Sequence, residues 1–415
     1  MRDTSNLTRE EAQQILRCLR DGVPSPEHVM KYSDPQMLLE PPLTGIQAHL
    51  EDVARDGATI VRFLSGEYGA GKTHTLDITK ELALQKNFLL SSFALEPRGV
   101  TFAYTERILA KLINTLAVDG KRSADASETV LQHVLTAWAK TDATEDVAQL
   151  VPEMATHPDL RSVLNRWAAI LREPGKTRGD SQEHNSLANQ WFQPGPTGLA
   201  AGERRRIGAR RNLSAENALQ TVELLAQFFR GIRHAGWVVL VDEQEIIPTL
   251  MTTRNRDLSN RTLRVLIDST GKPCGLYWLL ATSPEFFTDR ECGISAYPAL
   301  KGRAQEVLLL PPISASRMKN VGDRLVGICE IAFPDAGVRS RLTQELINGM
   351  ASLIEADYPA LGSRARGFVQ SVVRLVDRLR ENPQADLQQE MPKVVRDVFG
   401  EIEDQIQGAF RQPGA

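Results

Sequence analysis

A glycine-rich stretch constrains the fold of this chain more than any other segment. Residues 65–73 read SGEYGAGKT. The preceding run, Thr59–Leu64, has the β-branched and aromatic content of a buried strand, and the following run, Thr75–Leu82, suits a helix. Strand, glycine-rich loop and helix, in this order, predict a loop that binds the phosphates of a nucleotide.

The chemistry of phosphate binding explains the residue types in this loop. Glycines let the backbone turn so tightly that successive N–H groups converge on one phosphate, at the positive end of the following helix. Lys72 can reach the β and γ phosphates, and the Thr73 hydroxyl can coordinate Mg²⁺. We therefore predict ATP and Mg²⁺ as cofactors. The predicted nucleotide-binding residues are Gly66, Glu67, Tyr68, Gly69, Ala70, Gly71, Lys72, Thr73 and His74.

Composition and the length of the apolar runs limit the cellular locations and the classes of partner that we expect for the protein. The 415 residues include 49 basic and 52 acidic side chains, for a net charge of -3, so any contact with nucleic acid must come from a local patch. The chain starts without the apolar core of a signal peptide, and its longest apolar runs, such as Trp237–Val241, are strand-sized. We expect a cytoplasmic protein with no membrane partner. The 4 cysteines lie far apart, without the spacing of a metal site.

A second apolar run ends abruptly in two carboxylates. Gly236–Val241 reads as a buried strand, and Asp242 and Glu243 follow it directly. Beside a phosphate loop, Asp242 is predicted to bind Mg²⁺ through water, and Glu243 to orient or deprotonate the attacking water. Thr73 and Asp242 together form the predicted metal site. Acids at the end of a strand are common, so this interpretation depends on the phosphate loop upstream.

A third apolar run ends in hydroxyl groups. Gly275–Ala281 reads as a buried strand that leads into Thr282 and Ser283. In ATPases of the additional-strand class, a polar residue at this place senses the γ phosphate. Thr282 is our candidate, with Ser283 as the substitute. The alternative is that this hydroxyl caps the helix that begins at Pro284.

Two arginines complete the predicted site. Arg303 lies just before the short apolar run Glu306–Leu310, where AAA+ proteins place the arginine that reaches the nucleotide of the next subunit. The competing interpretation is an ordinary surface arginine. Arg364 and Arg366 stand just before the last apolar helical stripe, and either can touch the nucleotide as part of a helical lid; Arg366 is the better placed. The predicted catalytic residues are Lys72, Glu243, Thr282 and Arg303.

A long insertion separates the phosphate loop from the acidic strand. About 170 residues lie between Thr73 and Asp242, far more than a simple crossover connection needs. Helical stripes predict a subdomain here, followed by a loop rich in Pro and Gly over 173–202. The basic patch that follows has two equally good interpretations. One is contact with nucleic-acid phosphates or with a nucleotide in a neighbouring subunit, and the other is a solvated helix start. This patch consists of Arg204, Arg205, Arg206, Arg210 and Arg211.

The order of these features predicts an α/β fold of the AAA+ P-loop NTPase type. We expect a parallel sheet flanked by helices, with an inserted helical subdomain and a C-terminal helical lid. The expected regions are an N-terminal helical extension over 1–50, the nucleotide-binding domain over 51–312, and the lid over 313–415. The helical insertion and its loop are expected at 104–235, within the second region.

These motifs give the chain a resemblance to a known family. The segment ILRCLRDGVP at 15–24, the loop GEYGAGKT at 66–73, the arginine-rich segment and VDEQE at 241–245 resemble the ATP-binding proteins of BREX-type bacterial phage defence, the BrxD-like group. The resemblance covers most of the chain. It implies an AAA+ ATPase that works with other defence proteins and acts on DNA. Asp77 is a departure, because an apolar residue is expected early in the helix after the loop.

Two functions from different classes fit these features. The first is an ATP-hydrolysing motor or switch that assembles as a homo-oligomer on DNA, with the nucleotide at the subunit interface. The second is a signalling or scaffold module whose ATP-bound form recruits a protein effector without acting on DNA. A small-molecule kinase fits less well, because Glu243 supplies a water-activating group and the chain shows no acceptor-pocket motif.

Overall fold

The computed structural model describes residues 7–22, 26–119, 129–141, 146–172, 178–193, 198–250, 252–288, 294, 297, 300, 306–359 and 362–411. Arg303, the arginine predicted to reach a neighbouring nucleotide, lies outside these ranges.

Most of the described residues are helical. The helices are α1 (Arg9–Arg20), α2 (Val29–Tyr32), α3 (Leu43–Asp56), α4 (Lys72–Gln85), α5 (Thr105–Asn114), α6 (Val130–Thr141), α7 (Pro158–Arg172), α8 (Arg178–Phe192), α9 (Ala201–Ile207), α10 (Ala218–Gly231), α11 (Thr253–Asp268), α12 (Glu285–Thr288), α13 (Ala315–Ala332), α14 (Val338–Arg341), α15 (Gln344–Asp357), α16 (Arg364–Glu381) and α17 (Leu387–Arg411). The strands are β1 (Ile60–Ser65), β2 (Leu89–Ala94), β3 (Trp237–Asp242), β4 (Leu276–Thr282) and β5 (Val307–Leu309). Within the described ranges, every helix is too short or too polar to cross a membrane.

The strands form one sheet in the order β2-β3-β4-β1-β5. β3 pairs in parallel with β2 and with β4, and Trp237 lies opposite Leu89 on one side and Leu276 on the other. β4 therefore lies between the strand that precedes the phosphate loop and the strand that ends in the acids. This is the additional-strand arrangement, and the predicted AAA+ type of α/β fold is confirmed.

Burial explains why the central strands are apolar along their whole length. Trp237–Val241 of β3 and all of β4 are buried. Parallel strands covered by helices on both faces lose the alternation of apolar and polar residues that a one-sided sheet shows. Asp242 and Thr282 are the last residues of these two strands, so both polar groups stand at the carboxyl edge of the sheet, where open α/β folds bind their ligands.

Contacts divide the chain into two compact units, and each unit draws on separate stretches of sequence. The first unit comprises 1–45, 64–81 and 308–415, and the second comprises 46–63 and 82–307. The phosphate loop therefore belongs to the same unit as the N-terminal helices and the lid. The insertion and strands β2 to β4 belong to the second unit.

In the first unit, helix α1 packs against α13 and α16 of the lid. At the end of α1, the Arg20 guanidinium donates two hydrogen bonds, of 2.8 and 2.7 Å, to the carboxylate of Asp377 in α16. This paired geometry ties the N-terminal helix to the lid more strongly than a single contact would. The buried side chains of α1 are Ala12, Ile15, Leu16 and Leu19.

The unexpected Asp77 in α4 is buried, and its position has a local explanation. The Lys80 ammonium group, three residues further along the same helix, donates to Asp77 Oδ1 at 2.7 Å. A buried carboxylate is tolerated where a cation is paired with it in good hydrogen-bond geometry. The helix therefore carries an ion pair where the pattern leads one to expect an apolar residue.

The second unit has one continuous core that joins the sheet to the helical insertion. Trp138 of α6, Trp167 of α7 and Trp191 of α8 are buried in the same apolar cluster as Phe63 of β1 and Trp237 of β3. Large aromatic side chains contribute much of the apolar area in such a core. The insertion is therefore packed as part of the unit that carries the acidic strand.

Arg230 of α10 fixes the amino edge of the sheet. Its Nη1 donates to the carbonyl oxygen of Val53 at 2.8 Å. Gly57 and Gly275 pack against the same side chain, and both have a φ of +73°. A methyl group at Gly275 would overlap with the aliphatic part of Arg230, so this position needs glycine for space as well as for backbone conformation, whereas one at Gly57 would meet the guanidinium end of the same side chain.

Candidate nucleotide-binding site

The phosphate loop connects the end of β1 to the first residue of α4. Gly69 and Gly71 have φ values of 76° and 100°, which residues with a Cβ rarely adopt. Among the described residues, a methyl group at Gly71 would have only the Cβ of His74 nearby, at 4.0 Å, so glycine is needed there for its backbone torsion rather than for space. The N–H of Ala70 donates to the carbonyl oxygen of Glu67 at 3.2 Å and closes the turn between them.

Lys72 folds back over the loop that precedes it. Its Nζ donates to the carbonyl oxygens of Gly66 at 2.8 Å and Glu67 at 3.3 Å. The ammonium charge is thus held over the loop, at the positive end of α4, where an anion is favoured. Thr73 follows in the first turn of the helix and is exposed, which suits a hydroxyl that coordinates a hydrated cation.

His74 is engaged with the N-terminal segment of its own unit. Its Nε2 lies 3.1 Å from the Ser33 hydroxyl, which donates its single proton to the carbonyl oxygen of Val29. The imidazole must therefore donate to Ser33 from Nε2. The ring of Tyr32 lies 5.4 Å away, and burial lowers the pKa of His74 to about 4. The side chain is neutral at physiological pH and joins α4 to the segment after α2.

The lid contacts the phosphate loop through backbone atoms. A methyl group at Gly69 would lie 2.8 Å from the Cα of Ser363, and one at Gly362 would overlap with Glu67. Ser363 is the residue before α16, so the start of this lid helix lies directly against the loop.

Arg366, in the first turn of α16, is brought to the loop as well. Its Nη1 donates to the Tyr68 hydroxyl at 2.9 Å, and its Nη2 donates to Gln405 Oε1 at 3.1 Å. The loop residues 66–73, His74 and Arg366 are thus assembled within the first unit. Arg366, the predicted nucleotide contact from the lid, is joined to the loop by its hydrogen bond to the Tyr68 side chain. The glycine pattern of the loop does not identify this hydrogen bond.

In the second unit, the chain turns sharply where β3 ends. Glu243 has a φ of 60° and a ψ of 36°, a left-handed conformation that costs about 1–2 kcal/mol for a residue with a Cβ. Its N–H donates to Asp242 Oδ1 at 2.9 Å, which turns that carboxylate back toward the backbone. A short 3-10 turn, Gln244–Thr249, follows. Strain of this kind is concentrated at functional sites.

Two buried polar side chains stand near the ends of β3 and β4. Thr282 is 0% exposed and its hydroxyl has no hydrogen-bond partner among the described residues, so it does not cap α12. Gln244 is also 0% exposed, and neither atom of its amide has a partner in the described parts of the chain. Buried polar atoms nearly always have a partner, so such exceptions point to a bound water or ligand.

The donor set fits a magnesium ion that is bound mainly by the nucleotide. Within the described ranges, no group of three or more His, Cys, Asp or Glu side chains is placed to hold a metal by itself. Mg²⁺ in nucleotide sites uses one or two protein ligands and completes its octahedron with water and phosphate oxygens. The first unit offers a hydroxyl of this kind at Thr73, and the second unit offers a carboxylate at Asp242.

The basic patch of the insertion contains both engaged and outward-facing side chains. Arg204 donates to the backbone carbonyl oxygens of Arg210 and Leu199, and Arg206 forms an ion pair with Glu183 of α8. The side chains of Arg205, Arg210 and Arg211 are exposed to solvent.

Sequence reasoning missed two buried polar residues, Gln244 in the second unit and Ser363 in the first. Ser363 is 1% exposed, and its hydroxyl has no partner within the described ranges. The sequence held a weak signal for Gln244, because an uncharged amide directly follows the two acids. Ser363 offered none, since a serine before a helix usually caps it, whereas this hydroxyl makes no capping bond.

Two solved structures of other proteins are similar to this chain at low sequence identity. No curated protein matches the chain. The Walker-type ATPase PABY2304 of Pyrococcus abyssi is 12% identical over 88% of this chain and 75% of its own, with a TM-score of 0.39. A structure of Drosophila ORC bound to DNA is 13% identical over 98% of this chain and 70% of its own, with a TM-score of 0.42.

A family comparison covers nearly the whole chain. Residues 7–395 match the family described as BREX system ATP-binding protein BrxC/D. The matched range runs from the N-terminal helix through the phosphate loop and the acidic strand to the last helix of the lid. The resemblance drawn from the motifs is confirmed, and the chain belongs to the BrxC/D family of BREX system ATP-binding proteins.

Proposed function

We propose that this chain is an ATP-hydrolysing AAA+ protein that acts as a DNA-associated motor or switch in phage defence. The observation that carries the proposal is the phosphate loop, where Gly69 and Gly71 have positive φ and the Lys72 ammonium group lies over the loop carbonyls. Membership of an ATP-binding family supports the same ligand.

Each predicted residue has a separate task in this proposal. Lys72 and the loop N–H groups bind and orient the phosphates. Thr73 and Asp242 hold Mg²⁺, which when bound offsets negative charge on the phosphate oxygens. Glu243 orients the attacking water and accepts its proton, and the buried Thr282 hydroxyl donates to the γ phosphate.

Two variants separate binding from hydrolysis. Lys72→Ala should weaken binding of a fluorescent ATP analogue by at least about ten-fold, because it removes the positive charge that the loop directs at the phosphates. Glu243→Gln should bind the analogue normally and lose about 10²- to 10⁴-fold in phosphate release, because an amide cannot accept the proton. Unchanged ATP binding in Lys72→Ala would overturn the proposal.

We further propose a homo-oligomer in which Arg303 acts on the nucleotide of the next subunit. A planar guanidinium suits this task because it spreads positive charge over the γ-phosphate oxygens. Mixing the inactive variants Lys72→Ala and Arg303→Ala tests the idea. Mixed interfaces pair an intact loop with an intact arginine, so the mixture should regain ATPase activity that neither variant has. A mixture as inactive as its components would count against action between subunits.

The proposed DNA contact rests on the exposed arginines of the basic patch. Replacing Arg205, Arg210 and Arg211 by alanine should weaken duplex DNA binding and lower the slope of log affinity against log salt by about 3, one unit for each arginine that binds a phosphate. The control replaces three other exposed arginines by alanine, Arg254, Arg261 and Arg264 on α11. This control variant loses the same number of positive charges. Equal losses of affinity in both variants would indicate a general charge effect.

One observation favours the alternative of a signalling or scaffold module. Arg204 and Arg206 are engaged by backbone carbonyls and by Glu183, as a structural role for the patch would require. If this alternative holds, DNA will leave the ATPase rate unchanged at every salt concentration. Oligomer formation with ATP would then respond to other proteins of the defence system rather than to DNA.

A further inference from the structure

We propose that Tyr68 is a positioning residue of the nucleotide site, whose hydroxyl holds the guanidinium group of Arg366 at the edge of the phosphate loop. The inference rests on the proposed ATP-binding function and deepens it. Glycines and Lys72 explain the backbone and the charge of the loop, but they assign no task to the tyrosine side chain.

Tyr68 and Arg366 meet from opposite ends of the sequence. The Tyr68 hydroxyl accepts a hydrogen bond of 2.9 Å from Arg366 Nη1, and the centre of the tyrosine ring lies 5.9 Å from the guanidinium carbon. A ring at this distance adds a weak cation–π attraction to the hydrogen bond. The second amino group of Arg366 donates to Gln405 of α17 at 3.1 Å.

The guanidinium also has a fitted slot at the end of α1. Gly22 has a φ of 70°, and a methyl group there would overlap with Arg366 Nε and lie 2.7 Å from Nη2. Only glycine therefore leaves space for the guanidinium at this point. Four separate segments of the first unit contribute to the position of one side chain: the end of α1, the loop, the start of α16 and the end of α17.

Arg366 keeps donor capacity for a ligand. A guanidinium has five N–H donors, and the hydrogen bonds to Tyr68 and Gln405 use one N–H of Nη1 and one of Nη2, so each of these nitrogens keeps a second N–H. Tyr68 offers a neutral oxygen, whereas a phosphate offers charged oxygens that form stronger hydrogen bonds with arginine. Tyr68 can therefore hold the arginine ready without competing strongly with the nucleotide.

Holding the arginine in advance matters because a free arginine loses much rotamer freedom when it binds. The neighbouring backbone is close-packed, since Gly69 lies against Ser363 and Gly362 lies against Glu67. The loop and the first turn of α16 are thus kept together, and the tyrosine hydroxyl determines where the arginine points between them.

A double-mutant cycle on the full chain tests this role. Tyr68→Phe removes only the hydroxyl, and it should raise the Kd of a fluorescent ATP analogue about ten-fold. Arg366→Ala should raise it by at least as much. If Tyr68 acts through Arg366, the double variant should bind no more weakly than Arg366→Ala. The matched control is Tyr358→Phe, a lid tyrosine stacked on Phe399, which should leave the Kd unchanged.

A second variant tests the other hydrogen bond of the Arg366 guanidinium group, the one to Gln405. Gln405→Ala removes the second side-chain acceptor that the described residues offer to Arg366, without altering the loop. It should raise the Kd by a smaller factor, again only when Arg366 is present. A melting temperature close to that of the wild type should accompany Tyr68→Phe and Gln405→Ala, since neither leaves a cavity.

The outcomes distinguish this inference from the proposed function. If the wild-type chain binds ATP through Lys72 but Tyr68→Phe weakens binding equally with and without Arg366, Tyr68 does not act through the arginine and the inference is wrong. An unchanged Kd in Tyr68→Phe overturns it too. If the wild type does not bind ATP, or Lys72→Ala binds as tightly, the proposed function itself fails.

Discussion

At the scale of single residues, the phosphate loop depends on a torsion angle at Gly71. We expect Gly71→Ala to cost about 1–3 kcal/mol of stability and to weaken nucleotide binding, because alanine disfavours the φ of 100° although it has space. Gly400→Ala is the control, since Gly400 lies in α17 with nothing close to an added methyl group, and it should be neutral or gain about 0.5–1 kcal/mol. Thermal unfolding and nucleotide titration of both variants check this, and equal behaviour would contradict it.

The ion pair inside α4 gives a second prediction at this scale. Lys80→Met should destabilise the protein by about 3 kcal/mol, because it removes a charged partner from the buried carboxylate of Asp77. The double variant Asp77→Leu with Lys80→Met should recover most of that loss, since an apolar pair buries no charge. Chemical denaturation of the two variants measures the difference. A double variant no more stable than Lys80→Met would argue against this account.

Local patterns predicted some of these residues and not others. The glycines, Lys72, Asp242 and Glu243 follow from motif spacing, because each acts at a fixed distance along the chain from a recognisable element. The contact between Tyr68 and Arg366 joins residues 298 positions apart, and no local pattern encodes it. The same holds for Arg206 and Glu183, whose pairing depends on how α8 and α9 pack.

At the scale of elements, Arg230 makes the position of α10 depend on two glycines at the amino edge of the sheet. Gly275→Ala should destabilise the second unit by about 2–4 kcal/mol, because a methyl group would overlap with Arg230 at a backbone torsion that alanine disfavours. Adding Arg230→Ala should relieve the overlap but not the torsional strain. The combined loss of stability should therefore be smaller than the sum of the single losses, and additive values from denaturation curves would refute the overlap.

The strands could be predicted from the sequence, but the packing partners of the elements could not. β3 and β4 appear in the sequence as apolar runs with polar ends, because both faces of each strand are covered. Helix α1 also has a clear apolar stripe, but its pattern does not specify that the stripe packs against α13 and α16, about three hundred residues later. The periodicity of apolar residues predicts that one face of a helix is buried. Which helices pack against that face is known only from the tertiary structure.

At the scale of the whole molecule, histidines whose pKa is lowered make stability depend on pH. Burial lowers the pKa of His74 and of His184 to about 4. In the unfolded chain both return to about 6.5, so the unfolded state binds more protons between these values. Stability is then complete above pH 6.5 and falls as the pH drops toward 4. We expect the melting temperature to fall between pH 7 and pH 5.

Two variants test the contribution of His74 and His184, to which His49, His157 and His234 add, because burial lowers the pKa of these three as well. His74→Gln and His184→Gln should each flatten the change in melting temperature between pH 7 and pH 5, because glutamine does not titrate. Carboxylates act at lower pH, as for Glu11, whose pKa is lowered to about 2 chiefly by a hydrogen bond from Lys31. A melting temperature that stays constant from pH 7 to pH 5 in the wild type would contradict the prediction.

The interleaving of the two units has a consequence for synthesis on the ribosome. Residues 64–81 emerge early, but the lid that packs against them within the first unit begins at residue 308. All of 82–307, most of the second unit, is translated in between. Because domains fold as their residues become available, the surroundings of the phosphate loop are completed only after the residues from 308 onward have been translated. A nascent chain therefore makes most of its second unit before the phosphate loop can pack against the lid.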